Sequence, residues 1–206
     1  MKKRRIATML LLSGIMLITT VYVHLALKEK VELEKKGFEV NTLVSVGIIG
    51  QEPVVLTSFG QSADVALLKV LFEKEKVNFR YDPYVNAENL LDIKTIIAVV
   101  GASVKGLSSS GVKPEEELQR VDDMLLYANE YDLTLISVFR GGEFKKGDLT
   151  SKLISKVLSS ADILIVVNEK EEVRNSIETM NTNDSYVIYV PSIPKAVKVI
   201  EGLVVD

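Results

Sequence analysis

A chain of 206 residues with 47% hydrophobic and 26% charged content carries enough apolar material for one globular domain and a further segment. A net charge of -3, with basic residues scattered beyond the first few positions, excludes the concentrated cationic footprint of a nucleic-acid binder. There is no cysteine and the single histidine is His24, so beyond residue 27 there can be no disulfide, no Ser-His-Asp or Cys-His nucleophile and no His- or Cys-based zinc site. Chemistry in the main domain is left to hydroxyls, carboxylates, amides, Lys and Arg.

The chain opens with Lys2, Lys3, Arg4 and Arg5, followed by an uncharged apolar run from Ile6 to Leu27. That run is close to the ~20 residues a helix needs to cross the hydrocarbon core. A cleaved signal peptide has a shorter apolar region, ~7 to 15 residues, ending at a small-x-small site. No such site is found around "VYVHLALKEK", so residues 1–27 are predicted to be an uncleaved transmembrane anchor, with His24 at the interface. The basic cluster stays on the cytoplasmic side, which places everything after Lys28 outside the membrane. Residues 28–52 follow as a stalk and linker: "KEKVELEKK" continues the helix until Gly37, and "FEVNTLVSVGIIGQE" is extended, with a candidate edge strand.

From Pro53 to Asp206, apolar β-rich runs alternate with segments of helical period. "VVLTSF" precedes "SADVALLKVLFEKE", "VNFRYD" precedes a short "AENLLD", and "TIIAVV" precedes "PEEELQRVDDMLLYANEY". "LTLISVF", "DILIVV" and "YVIYV" then alternate with "DLTSKLISKVLSS", "EEVRNSIETM" and "PKAVKVIEGL". Strands written as continuous Ile/Leu/Val runs are buried on both faces, and intervening helices supply the crossovers of a parallel sheet. The prediction is a three-layer αβα sandwich, a doubly wound, mainly parallel sheet of five or six strands of the flavodoxin-like or Rossmann-like kind, with Val54–Phe59 in its interior. In the segment from Pro114, Glu115 to Glu117 complement the positive helix end, and Leu118, Val121, Leu125 and Ala128 form the core stripe. Asp122 and Asp123, neighbours in mid-helix, point in different directions and do not form a carboxylate pair.

Ligands of doubly wound sheets bind outside the carboxyl ends of the strands, where the strand order reverses. The segments at that position are "TSFGQS", "GASVKGLSSSGV", "RGGEFKKGD" and "NEK". They supply the candidate ligand-binding residues Ser58, Gly60, Gln61, Ser62, Gly101, Ser103, Lys105, Arg140, Gly141 and Gly142. Ser62 has two readings, a helix N-cap or a donor to a bound anion. Arg140, followed by two glycines, can aim its guanidinium fork at a carboxylate or pair with Glu143 at the surface. The stretch Ala102 to Lys113 is twelve residues where such connections take ~2 to 6, and its glycines and serines read as either a mobile lid or a surface insertion. "TSFGQSAD" is neither G-x-G-x-x-G nor a P-loop, and Asp64 already occupies the positive helix end, so no nucleotide or other cofactor is expected.

The strings "PVVLTSFGQSADV", "PEEELQRVDDMLLYANEYDLTLISVFRGGE" and "ADILIVVNEK" resemble an uncharacterised family of exported, membrane-anchored bacterial α/β domains, a domain-of-unknown-function family, over roughly Pro53 to Leu203. The resemblance implies this fold and an extracytoplasmic address, and carries no catalytic residues with it. A likeness to receiver domains fails, since Thr57 and Ser58 stand where a phospho-accepting Asp belongs. The function expected from the sequence is a membrane-tethered module that binds a small polar or carboxylate ligand beside a membrane-protein partner in transport or sensing. The alternatives are a hydrolase or transferase using Ser58 or a loop serine with Lys105 as base, and a ligand-free structural or protein-interaction domain. The full-length chain is expected to sediment with membranes, and a C-terminal tag to be digested by protease in cells whose outer barrier alone is permeabilised. A protected tag would refute the orientation.

Overall fold

The computed structural model describes residues 49–142, 147–182 and 185–205. The expected transmembrane segment 1–27 and most of the stalk lie outside them, and no helix among the described residues is long and apolar enough to cross a membrane. In chain order the elements are β1 (Gly50–Gln51), β2 (Val54–Phe59), α1 (Asp64–Glu75), β3 (Arg80–Tyr81), a 3-10 turn (Ala87–Asn89), β4 (Thr95–Val100), α2 (Val104–Ser110) and α3 (Pro114–Glu130). They continue with β5 (Thr134–Phe139), α4 (Leu149–Leu158), β6 (Ile163–Val166), α5 (Glu171–Met180), β7 (Tyr186–Tyr189), α6 (Ile193–Leu203) and β8 (Val204–Val205).

Six strands form one sheet in the order β3-β2-β4-β5-β6-β7, and every neighbouring pair is parallel. β2 and β4 are buried along their whole length, as their unbroken apolar runs require of interior strands covered on both sides. Alternate residues serve opposite faces. Val55, Phe59, Ile96, Val100, Leu135, Phe139 and Leu164 join one core with Val121, Met124 and Ala128 of α3, Leu153, Ile154 and Val157 of α4, and Val173 and Ile177 of α5. On the other face Leu56, Ile97, Val99, Ile136, Val138 and Ile165 are buried, α1 packs on β2 and β4, and α1 and α6 contact each other. The expected sandwich with an interior first strand is therefore present. The chain crosses one way from β2 to β3 and the other way to β4, so the strand order reverses between β2 and β4.

β1 and β8 pair in a separate two-stranded parallel sheet, Gly50 opposite Val204. It lies against the amino ends of β4 and β5: Gln51 N–H donates to Thr95 Oγ1 at 2.8 Å, and Thr134 Oγ1 donates to Ile49 O at 3.2 Å. The chain thus enters the described structure on the side of the sheet opposite to the carboxyl ends.

Three local expectations are corrected. The Ala102–Lys113 stretch, expected to be a loop serving as a lid or a surface insertion, contains a short helix, Val104–Ser110. Ser103 Oγ caps α2 by accepting Gly106 N–H at 3.0 Å, and Gly111 closes it at φ 69. Only Leu107 of α2 is buried, so the sequence carries no apolar stripe to announce a helix. "VNFRYD" contributes just Arg80 and Tyr81 to the sheet, since Phe79 turns instead onto Phe72, edge to face at 5.3 Å. Ser62 lies one residue outside the N-cap of α1, which is Ala63, although its Oγ still accepts Asp64 N–H at 3.3 Å.

One buried row is polar. Thr57, Ala98 and Ser137 stand in register across β2, β4 and β5 on the face covered by α3 and α4. Thr57 Oγ1 and Ser137 Oγ are fully enclosed and make no hydrogen bond within the described protein. A buried hydroxyl without a partner costs about 1–3 kcal/mol. The isosteric Thr57→Val is therefore expected to raise stability by about 1 kcal/mol in urea unfolding, and a loss of that size would show that the hydroxyl has a stabilising role.

Candidate functional site

The crevice where strand order reverses is built from the carboxyl ends of β2 and β4, and the chain stitches them together. Gly101 N–H donates to Phe59 O and Ser103 N–H to Gly60 O, each at 2.9 Å. Gly60 takes φ 104, and a Cβ there would stand 2.5 Å from Gly101 O, so the position excludes any side chain. Gln61 follows at φ 59, and α2 closes over it: a Cβ on Gly106 would stand 2.2 Å from Gln61 O. Ser58 Oγ is buried, accepting Ser62 N–H at 2.9 Å and facing Val99 O at 3.5 Å.

What holds this turn is an acid that the reading of the sequence assigned to the helix dipole. Glu117, in the first turn of α3, has no exposed surface. Its Oε1 accepts Gly60 N–H at 2.7 Å and Arg120 Nη2 at 2.7 Å, and its Oε2 accepts Gln61 Nε2 at 3.0 Å and Arg120 Nε at 2.9 Å. Arg120 also donates to Val85 O at 2.7 Å and to Ser58 O. A buried carboxylate is tolerated only when paired and hydrogen-bonded. Here it takes the place of an external anion, since the β2 turn's own N–H donor points at it. Glu116, its neighbour, does the helix-end work by accepting Lys113 N–H at 2.9 Å. Asp122 and Asp123 do diverge, one pairing with Lys156 at 2.5 Å and the other accepting Gln119 Nε2 at 2.8 Å.

The candidates therefore divide. Ser58, Gly60 and Gln61 belong to the internal stitching. Ser62 and Gly101 lie next to each other on the outer rim: a Cβ on Gly101 would meet only Ser62 Cβ and Oγ, at an ordinary 3.7 Å. Arg140, beyond β5, is exposed and donates through Nη1 to Asp64 Oδ1 at 2.7 Å. Asp64 follows β2 and Arg140 follows β5, so this ion pair links the carboxyl-end connections of two strands that have β4 between them. Gly141, at φ 79, lies so close to Asn168 after β6 that a Cβ would stand 2.4 Å from Asn168 Cβ. A Cβ on Gly142 would meet open space. Ser103 is spent on capping α2, and the exposed Lys105 makes no hydrogen bond or ion pair among the described residues. Glu143, the alternative partner considered for Arg140, lies outside the described residues. Asp64 was named only as an obstacle to phosphate, and its role as the partner of Arg140 had no local signal, because the two are 76 positions apart.

Among the described residues no group of three or more His, Cys, Asp or Glu could hold a metal ion. A wide groove of 730 Å³ lies elsewhere, at the amino-end side of β6 and β7, lined by Asp122, Lys156, Asp162 and Tyr186. Its charges already have partners: Lys156 binds Asp122, and Asp162 Oδ2 accepts Leu135 N–H at 2.8 Å.

The fold is a doubly wound α/β domain whose crevice residues bond internally and whose exposed Arg140 stands on the carboxyl-end rim. Residues 51–204 match a family described as a domain of unknown function (DUF6305), and the chain belongs to that family. No curated protein and no solved structure matches the chain.

Removing one partner of a buried ion pair costs about 3–5 kcal/mol. Glu117→Ala, which leaves Arg120 uncompensated and the Gly60 N–H without an acceptor, is expected to lower the urea unfolding free energy by that amount. A loss below about 1 kcal/mol would show that the network does not hold the turn.

Proposed function

We propose that the protein is a membrane-tethered, extracytoplasmic binding module that takes a small carboxylate-bearing solute at the carboxyl-end rim and serves a membrane-protein partner in transport or sensing. The observation that carries the reading is Arg140. Its side chain is 58% exposed, and only one of its N–H groups is engaged among the described residues, by Asp64. A guanidinium has five donors in a planar fork suited to a carboxylate. Gly101 after β4 carries no side chain, and a Cβ there would meet only Ser62, whose Oγ–H reaches Asp64. The tether rests on the charge-flanked apolar run Ile6 to Leu27, and the address on the Lys and Arg cluster before it.

The enzymatic alternative has less support. The Oγ atoms of Ser58 and Ser103 are both engaged with backbone groups, and neither is hydrogen-bonded to Lys105. A nucleophilic hydroxyl needs a base within hydrogen-bond reach.

The experiment is a thermal-melt screen of the full-length protein in mild detergent against small carboxylates and polar metabolites. A ligand at ~100 times its dissociation constant adds about 2.7 kcal/mol. Arg140→Lys keeps the charge but not the planar fork, so it is expected to weaken a true hit. A hit insensitive to Arg140→Lys moves the site away from the rim, and silence across the panel rejects the binding reading.

A further inference from the structure

Resting on that reading, we propose that the ligand is amphoteric, a small molecule of the α-amino acid class, with Arg140 taking its carboxylate and Asp64 its ammonium. Asp64 is the more fixed member of the pair. Its side chain is 24% exposed against 58% for Arg140, it sits in the first turn of α1, and Ser62 Oγ–H reaches its Oδ2 at 3.3 Å. An ionised carboxylate accepts at about four lone-pair sites. Among the described residues Asp64 has two side-chain partners, Ser62 and Arg140, so acceptor capacity remains.

Among the described residues Arg140 in turn is held at one nitrogen only, by Asp64. Opposite charges with spare capacity thus stand 2.7 Å apart on an exposed rim. A ligand with a carboxylate alone would bring a second negative charge beside Asp64, where like charges repel. A cationic group on the atom next to the carboxylate converts that repulsion into attraction, and the ligand then satisfies both residues without separating them. A simple amine gains Asp64 but meets Arg140, and a dicarboxylate is penalised further. Asp64 therefore acts as the selectivity element of the rim, favouring a zwitterion over the corresponding acid.

The test is calorimetric titration of the full-length protein in mild detergent with matched pairs of probes: L-amino acids and the same acids lacking the amino group, for example L-alanine against propionate and L-leucine against 4-methylpentanoate. In at least one pair the amino acid is expected to bind tenfold or more tightly than its partner. Asp64→Asn is expected to collapse that ratio toward one while leaving propionate-type binding unchanged or stronger, and Arg140→Lys to weaken both members. If the des-amino acids bind as tightly as the amino acids, or if Asp64→Asn preserves the ratio, the zwitterion proposal is overturned and the carboxylate reading stands. If no probe of either kind binds, both fall together. Circular dichroism of the variants checks that the fold is retained.

Discussion

The arrangement depends on one buried carboxylate. Glu117 is supplied by a helix that starts more than fifty positions after the turn it holds, and it accepts from the backbone of Gly60, the amide of Gln61 and two nitrogens of Arg120. Desolvating a carboxylate costs several kcal/mol even after relaxation, so the ion is stable inside only because each oxygen is filled by two donors. In return the chain can place two consecutive residues, Gly60 and Gln61, at positive φ directly after a fully buried strand. Arg120 extends the hold to the carbonyls of Ser58 and Val85, tying the end of β2 to the loop before β4.

That interior solution decides where a ligand can go. Doubly wound sheets leave a crevice where the strand order reverses, and in this chain the crevice is filled from within. Glu117 takes the backbone donor of the turn, and α2 lays Gly106 on the Gln61 carbonyl with no room for a side chain. The residues that meet solvent there, Ser62, Asp64, Gly101 and Arg140, stand on the outer rim. The same polar stretches that drew attention in the sequence thus serve two separate purposes, an internal lock and an external edge.

The strands were legible because a parallel sheet buries both faces and needs unbroken apolar runs, as in "TIIAVV" and "DILIVV". The longer helices α1, α3, α4, α5 and α6 were legible from their helical period, and α3 also from its apolar stripe. α2 was not, because a helix of Val, Lys, Gly, Leu and three serines has one buried residue and draws its stability from caps and from a glycine contact that only the folded chain reveals. Glu117 left a fainter signal that could have been read. With Val121, Met124, Leu125 and Ala128 it falls on one helical face, so an acid sits where the stripe calls for an apolar residue, and Arg120 three positions on is the neighbour able to pair with it. An acid on the apolar stripe, unlike the solvent-facing Glu115 and Glu116, marks a buried polar contact. The Arg140–Asp64 pair had no such mark, since nothing local links residues that only the strand order brings together.

The remaining edges of the sheet are closed by local devices, which sharpens the case for the rim. β3 is two residues long, too short to template another strand. β7, "YVIY", is an apolar edge strand without charge, and it is guarded at both ends. Asn181 Oδ1 accepts the Ser185 N–H at 3.1 Å and its Nδ2 donates to Ser185 O at 2.9 Å, while the Arg174 guanidinium lies 3.9 Å from the centre of the Tyr189 ring. At the amino ends, β1 and β8 clasp each other across the starts of β4 and β5. At the carboxyl-end rim, among the described residues, a guanidinium engaged at one nitrogen, a carboxylate with spare lone pairs and a glycine without a side chain stand on neighbouring strand ends, and the binding proposal rests on that combination rather than on any single residue.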